Sequence, residues 1–187
     1  MSLGIIAEDD SDVVVLKELA FSLLHSRRLG VKHFVGHGCG KLRRKCGAWA
    51  HNLVRRGCRW VAVVHDLDTY DEGNLRETLE TAIAGVRTEA SVILIPKREI
   101  EAWLLYDPSA IAAAFRERRC PRLPGNPESL RDPKAFLTAL VWKAYRKEYL
   151  NTRHNETIAK HVNVSRLTEA ASFALYPPFV AEIRRRL

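Results

Sequence analysis

Four short apolar runs recur along the first part of the chain, at residues 3 to 7 ("LGIIA"), 31 to 35 ("VKHFV"), 60 to 65 ("WVAVVH") and 91 to 95 ("SVILI"). Most lack the strict alternation of a half-solvated strand, as expected where both faces of a parallel sheet are covered. The stretches between them carry helical periodicity. Val14, Leu16, Leu19, Ala20, Leu23 and Leu24 form one apolar stripe; "LRRKCGAWAHNLVRR" contributes Leu42, Cys46, Trp49 and Leu53; "NLRETLETAIAGV" contributes Leu75, Leu79 and Ile83. Strand and helix alternating at this rhythm build right-handed βαβ units. The expectation is an α/β, Rossmann-like core over residues 1–107 with a mainly parallel four-stranded sheet.

Beyond residue 107 the strand signals fade. "CPRLPGNPESLRDPKAF" reads as a loop, closed by Asp132 as a cap and Pro133 at the first position of a helix that runs through about Lys147. The tail from Asn155 offers two further helices, the last ending in basic residues that suit a helix C-terminus. Residues 108–187 are therefore expected to form a helical C-terminal extension packed on the core, with no clear linker.

A chain of 187 residues can bury a sizeable core. No uninterrupted apolar stretch approaches the ~20 residues that a bilayer crossing needs, and the first residues lack a signal-peptide pattern. A cytoplasmic protein with no membrane partner is expected. The four cysteines, Cys39, Cys46, Cys58 and Cys120, have no paired short spacing, which argues against a disulfide framework or zinc ribbon. The net charge is +8, and the excess gathers in "SRRLGVK", "KLRRK", "RRGCR", "FRERRCPR" and "IRRRL", while acids collect at the ends of apolar runs. A cationic shell around an acidic centre suits a polyanion held over a metal-binding pocket.

In an open parallel sheet, ligands bind beyond the carboxyl ends of the strands. Three segments deliver acid there: Glu8 after the first run, Asp66 and Asp68 in "VVHDLDTYD" after the third, and Glu99 and Glu101 in "IPKREIEAW" after the fourth. In an extended segment Asp66 and Asp68 point the same way while Leu67 points back to the core. Carboxylates on one side repel unless a cation lies between them, and Mg²⁺ takes hard oxygen ligands of this kind. Two such ions about 3.5 to 4 Å apart activate water and stabilise the leaving oxygen in phosphodiester cleavage.

This constellation resembles the TOPRIM domain of topoisomerases, primases and the overcoming-lysogenization-defect nucleases. In that fold a Glu ends the first strand and an Asp-x-Asp pair ends a later one, the places of Glu8, Asp66 and Asp68. "IPKREIEAWLLYD" and "PESLRDPKAF" also look like small TOPRIM-like proteins of bacterial mobile and defence loci, often encoded near an ATPase partner. Where many such domains have Gly after the glutamate, this chain has Asp9. The resemblance implies a nuclease using Mg²⁺ or Mn²⁺, acting on DNA or RNA as an antiphage effector, with an ATPase partner or a homo-oligomer in view.

Other residues join this picture by position. Asp12 lies one turn into the first helix near the sheet edge, whereas Asp9, Asp10 and Asp12 together also read as N-cap and first-turn acids. On a helix Glu99 and Glu101 would point about 200° apart, so only an extended stretch lets both face one metal; position favours Glu99 and the resemblance favours Glu101. Lys97 is placed to stabilise developing phosphate charge. In "GHGCGKLRRK", Lys41, Arg43 and Arg44 open a helix where backbone N–H groups can cradle phosphate, although the P-loop spacing is absent. His37 and His65 read as polar rim residues. Two rival readings remain: a non-catalytic interaction subunit of an ATPase-containing complex, and a phosphoacceptor receiver domain with Asp66 as acceptor and Lys97 as its lysine. The receiver needs more chain than the thirty or so residues between those two.

Overall fold

The computed structural model describes residues 1–187, the side chain of Cys39 excepted. Its first half alternates as the apolar rhythm requires: β1 (Ser2–Ala7), α1 (Asp10–Leu24), β2 (Gly30–Val35), α2 (Cys39–Arg55), β3 (Cys58–Val64), α3 (Glu72–Ile83) and β4 (Ala90–Leu94). The strands form one all-parallel sheet in the order β2-β1-β3-β4. This is an α/β, Rossmann-like core.

Successive strand residues face opposite sides of the sheet, and the two sides have separate cores. Leu3, Ile5 and Ala7 of β1, with Trp60, Ala62 and Val64 of β3, pack against α1 and against helices from the second half of the chain. Ile6, Val61, Val63 and Ile93 pack against Leu42, Cys46 and Leu53 of α2 and Leu75, Leu79 and Ile83 of α3. At Gly47, where α2 meets α3, an added Cβ would collide with the Ala82 carbonyl oxygen, so only glycine permits this approach.

The second half supplies α4 (Glu101–Leu104), α5 (Pro108–Ala114), α6 (Pro133–Tyr145), α7 (Asn151–His161) and α8 (Tyr176–Arg184), with 3₁₀ turns at Pro127–Ser129, Val164–Glu169 and Ala171–Phe173. Asp132 caps α6 by accepting from Ala135 N at 2.7 Å, with Pro133 following as expected. The helix stops at Tyr145, slightly early, because Arg146 turns left-handed. Asp107 and Pro108 repeat the same device at α5, a helix not among those expected from the sequence. The penultimate long helix also begins at Asn151, four residues before the expected start, under an N-cap residue, Leu150, that makes no side-chain capping bond.

This segment, together with α1, covers one face of the sheet. Trp103 donates its indole N–H to Ser172 Oγ at 2.7 Å, and the buried Tyr176 hydroxyl donates to the Leu16 carbonyl at 2.8 Å, so residues on both sides of position 107 share one core. Among the described residues, no helix is long and apolar enough to cross a membrane.

Candidate functional site

With the order β2-β1-β3-β4, the chain leaves β1 towards one side of the sheet and later resumes on the other, so β1 and β3 flank the topological switch point. Pairing of Ile6 with Val63 carries Glu8 level with His65, just past the ends of both strands. Glu8 Oε1 accepts the Asp66 backbone N–H at 3.1 Å and lies 2.9 Å from His65 Nδ1. That ring nitrogen is also 2.7 Å from the Asp66 carbonyl oxygen. Facing two acceptors, Nδ1 must carry the proton; Nε2 is shielded and has no partner. His65 is fully buried, which corrects its expected place on the rim. It clamps one oxygen of Glu8 and leaves the other unconstrained by this contact.

Asp9 caps α1 by accepting from Ser11 N at 2.7 Å and Asp12 N at 3.2 Å, and Asp12 Oδ2 accepts the Asp9 N–H at 3.1 Å. The capping reading of these acids therefore holds for both. Asp9 has an extended φ of −140°, so no glycine is needed after Glu8. Asp12 has a second aspect: it is buried, at 4% exposure, and faces further acids. Burial raises its carboxyl well above the usual carboxylate range, and Asp9, Glu101 and Glu8 push it in the same direction.

Asp66 sits at the centre of this charge. Burial raises its carboxyl well above the ordinary range, and Asp12, Glu101, Glu8 and Asp68 add like-charge repulsion, in that order. The residue keeps some exposed surface, but its Oδ1 is shielded from solvent and accepts no hydrogen bond. Glu101, the first residue of α4, is 3% exposed; its Oε1 accepts from Asn155 Nδ2 at 3.0 Å and from the Tyr149 hydroxyl at 3.3 Å. Burial, followed by the nearby Glu101 charge, keeps the Tyr149 phenol protonated far above its usual range. Tyr149 and Asn155 come from the C-terminal extension, and no sequence signal connects them with a carboxylate some fifty residues earlier.

The remaining candidates occupy the rim or take other partners. Asp68 is exposed, with a φ of +45°, so the extended geometry that would aim it alongside Asp66 ends one residue too soon. Its N–H donates to the Arg98 carbonyl at 3.3 Å, and Arg98 Nη1 donates to the Asp68 carbonyl at 2.5 Å. Partial burial and then Glu8 raise the Asp68 carboxyl, while His65 and Arg98 oppose the rise. Glu99 accepts the Lys134 N–H at 2.9 Å in the first turn of α6, and is thereby committed to that helix end. Between the two glutamates the structure thus selects Glu101 for the cluster. Lys97 is ion-paired with Glu72, which holds the Glu72 carboxyl below its usual range. Of the basic residues opening α2, Lys41 and Arg44 are exposed, whereas Arg43 lies 4.5 Å over the Tyr70 ring and donates to its hydroxyl at 3.2 Å. His37 N donates to the Glu8 carbonyl at 2.8 Å, placing the glycine-rich loop beside the cluster.

No group of three or more His, Cys, Asp or Glu side chains among the described residues is already arranged to hold a metal ion. The donor chemistry nevertheless fits a hard divalent cation. Glu8, Asp12, Asp66 and Glu101 offer only oxygen, come from four segments, and include one buried oxygen lacking any partner.

Fold and site together define a Rossmann-like α/β protein with a buried carboxylate cluster at its switch point. Over residues 20–175 the chain matches the family described as Domain of unknown function (DUF4276), and it belongs to that family. The matched span includes Asp66, Asp68 and Glu101 and begins after Glu8 and Asp12. No curated protein and no solved structure matches the chain.

Proposed function

We propose that the protein is a metal-dependent nuclease of TOPRIM type, an effector of bacterial phage defence that hydrolyses phosphodiester bonds of DNA or RNA. The observation that carries the proposal is the unpartnered, shielded Oδ1 of Asp66, facing carboxylates from three other segments at the carboxyl ends of β1 and β3. Buried like charges are costly unless something positive neutralises them. Glu8, Asp12, Asp66 and Glu101 would hold Mg²⁺ or Mn²⁺, with Asp68 at the rim. When bound, such an ion supplies a Lewis acid that activates water and offsets charge developing on phosphorus.

The protein's own groups prepare that arrangement. His65 fixes Glu8, Tyr149 and Asn155 fix Glu101, and the α1 cap fixes Asp12. Lys41 and Arg44 are exposed in the first turns of α2, whose preceding loop is tied to Glu8 through the His37 N–H, and would meet a backbone phosphate. Lys97 reaches phosphate only by leaving Glu72. The same ion pair argues against a receiver, whose lysine must reach its acceptor carboxylate.

The test is Mn²⁺ titration, followed by incubation with plasmid, single-stranded DNA and tRNA. Saturable binding and cleavage of at least one substrate are expected, both lost in Asp66→Ala. Binding without cleavage of any substrate would instead support a non-catalytic interaction subunit, such as one acting with an ATPase. Absence of saturable Mn²⁺ binding would overturn the metal site itself.

A further inference from the structure

A second charged feature lies at the opposite end of α6 from the carboxylates. There, a cavity of about 460 Å³ opens between the segment after α5 and the last turns of α6, lined by Arg119, Arg122 and Lys143 over a floor including Pro121, Leu140 and Tyr145. The segment is pinned in place. Tyr145 donates its hydroxyl to the Arg119 carbonyl at 2.8 Å, Lys147 Nζ donates to the Phe115 carbonyl at 2.7 Å, and the Phe115 and Tyr145 rings lie 6.0 Å apart. Glu117, the acid within this basic segment, is already paired with Lys147 at 2.7 Å. Among the described residues, the side chains of Arg119, Arg122 and Lys143 make no ion pair. Three like charges are thus gathered around one concavity that no acid lines, and Glu117 of the same segment is occupied. The arrangement favours a ligand carrying closely spaced negative charge.

Position identifies which anion suits it. Lys134, in the first turn of α6, bonds Glu99 beside the carboxylate cluster, and Lys143 is nine residues further along the helix, about 14 Å at 1.5 Å per residue. That separation is within reach of a short run of successive phosphates on one nucleic-acid strand. At the near end of the same helix another cavity, of about 410 Å³, is lined by Arg98 and Arg131 together with the acids Asp68, Glu99 and Asp132. Of the two ends of α6, the distal one therefore carries the purely basic lining. We propose that the Arg119, Arg122 and Lys143 cavity is a distal subsite for backbone phosphates of a polynucleotide whose reacting phosphate lies at the carboxylate cluster. It rests on the reading of the ligand as nucleic acid, and its binding requires no metal.

Binding in EDTA separates this subsite from the chemistry. The full chain is titrated with labelled single strands of 4 and 20 nucleotides over a range of salt concentrations. The triple variant R119A/R122A/K143A is compared with R28A/R55A/R87A, which removes the same charge from exposed sites elsewhere. The distal variant should lose about tenfold or more in affinity for the 20-mer and flatten its log–log salt slope by about 2, from three contacts at roughly 0.7 each. The 4-mer, which can occupy the distal cavity but gains fewer contacts, should also bind the distal variant more weakly, by a smaller factor than the 20-mer, and inorganic phosphate should compete only weakly with the 20-mer. Equal losses for the two variants, or effective competition by free phosphate, would overturn the subsite. Loss of 20-mer affinity in the distal variant, with no cleavage by wild type in Mn²⁺, would keep the subsite and remove the nuclease reading. Cleavage by wild type with the distal variant behaving like the control would do the reverse.

Discussion

Asp66→Asn should make the metal-free protein more stable while abolishing its response to metal. The substitution keeps the shape of the side chain and deletes one charge from a site where burial, Asp12, Glu101, Glu8 and Asp68 all disfavour ionisation. Two like charges about 7 Å apart cost roughly 2 kcal/mol at an effective dielectric constant of about 20. Proton uptake limits what the folded protein experiences, since each pKa unit of upward shift corresponds to about 1.4 kcal/mol. A gain of about 1 to 3 kcal/mol at pH 8 follows, or about 2 to 4 °C in Tm per kcal/mol for a chain of this size.

The sign of the pH dependence is fixed by linkage. The folded carboxyls of Asp12 and Asp66 are raised, so the folded state holds more protons than the unfolded chain once pH exceeds about 4, the unfolded aspartate value. Their contribution is fully present below that value and is lost as pH rises through the raised folded pKa. The advantage of the Asn variant should therefore vanish near pH 4 and grow towards pH 8. Adding Mn²⁺ at about 100 times its Kd should stabilise wild type by about 2.7 kcal/mol and the variant far less. Thermal unfolding across pH, with and without Mn²⁺, measures all of this. An Asn variant that melts below wild type by the same margin at every pH would refute the repulsion argument.

Other substitutions probe the supports of the site. His65→Ala should weaken Mn²⁺ binding about 10- to 100-fold, as loss of a group orienting a ligand does, whereas His65→Asn should recover much of it, because its amide nitrogen can occupy the place of Nδ1; calorimetric titration distinguishes them. Asn155→Ala deprives buried Glu101 of its 3.0 Å donor and should cost about 1 to 3 kcal/mol in urea unfolding, a loss under about 0.5 kcal/mol showing that the bond carries little. Gly47→Ala should cost about 1 to 3 kcal/mol in the same assay, because its methyl group meets the Ala82 carbonyl.

Much of this protein is legible residue by residue. The apolar runs form β1 to β4, the Leu75, Leu79 and Ile83 stripe forms the buried side of α3, and Asp132 with Pro133 opens α6. Asp107 with Pro108 carries the same local signal for α5, although the helix that follows is only seven residues long and has little periodicity to reinforce it. Such features are local: caps, prolines and periodicity act over a few neighbours, so the linear order of residues is enough to specify them. Acids placed just after strands are local in the same sense, which is why Glu8 and Asp66 stand out.

Which of those acids meet is decided by tertiary structure. The order β2-β1-β3-β4 sets Glu8 beside Asp66, and it arises from burial of both sheet faces across the whole chain. Glu99 and Glu101 are indistinguishable by spacing until α6 supplies an N-terminus for the first, and Tyr149 and Asn155 supply donors for the second. Asp68 departs from its pair through a single positive φ at a turn joined to Arg98, and Lys97 turns to Glu72. The residue types set what chemistry is available. Their convergence depends on contacts between segments 25 to 58 residues apart, where no short-range pattern reaches.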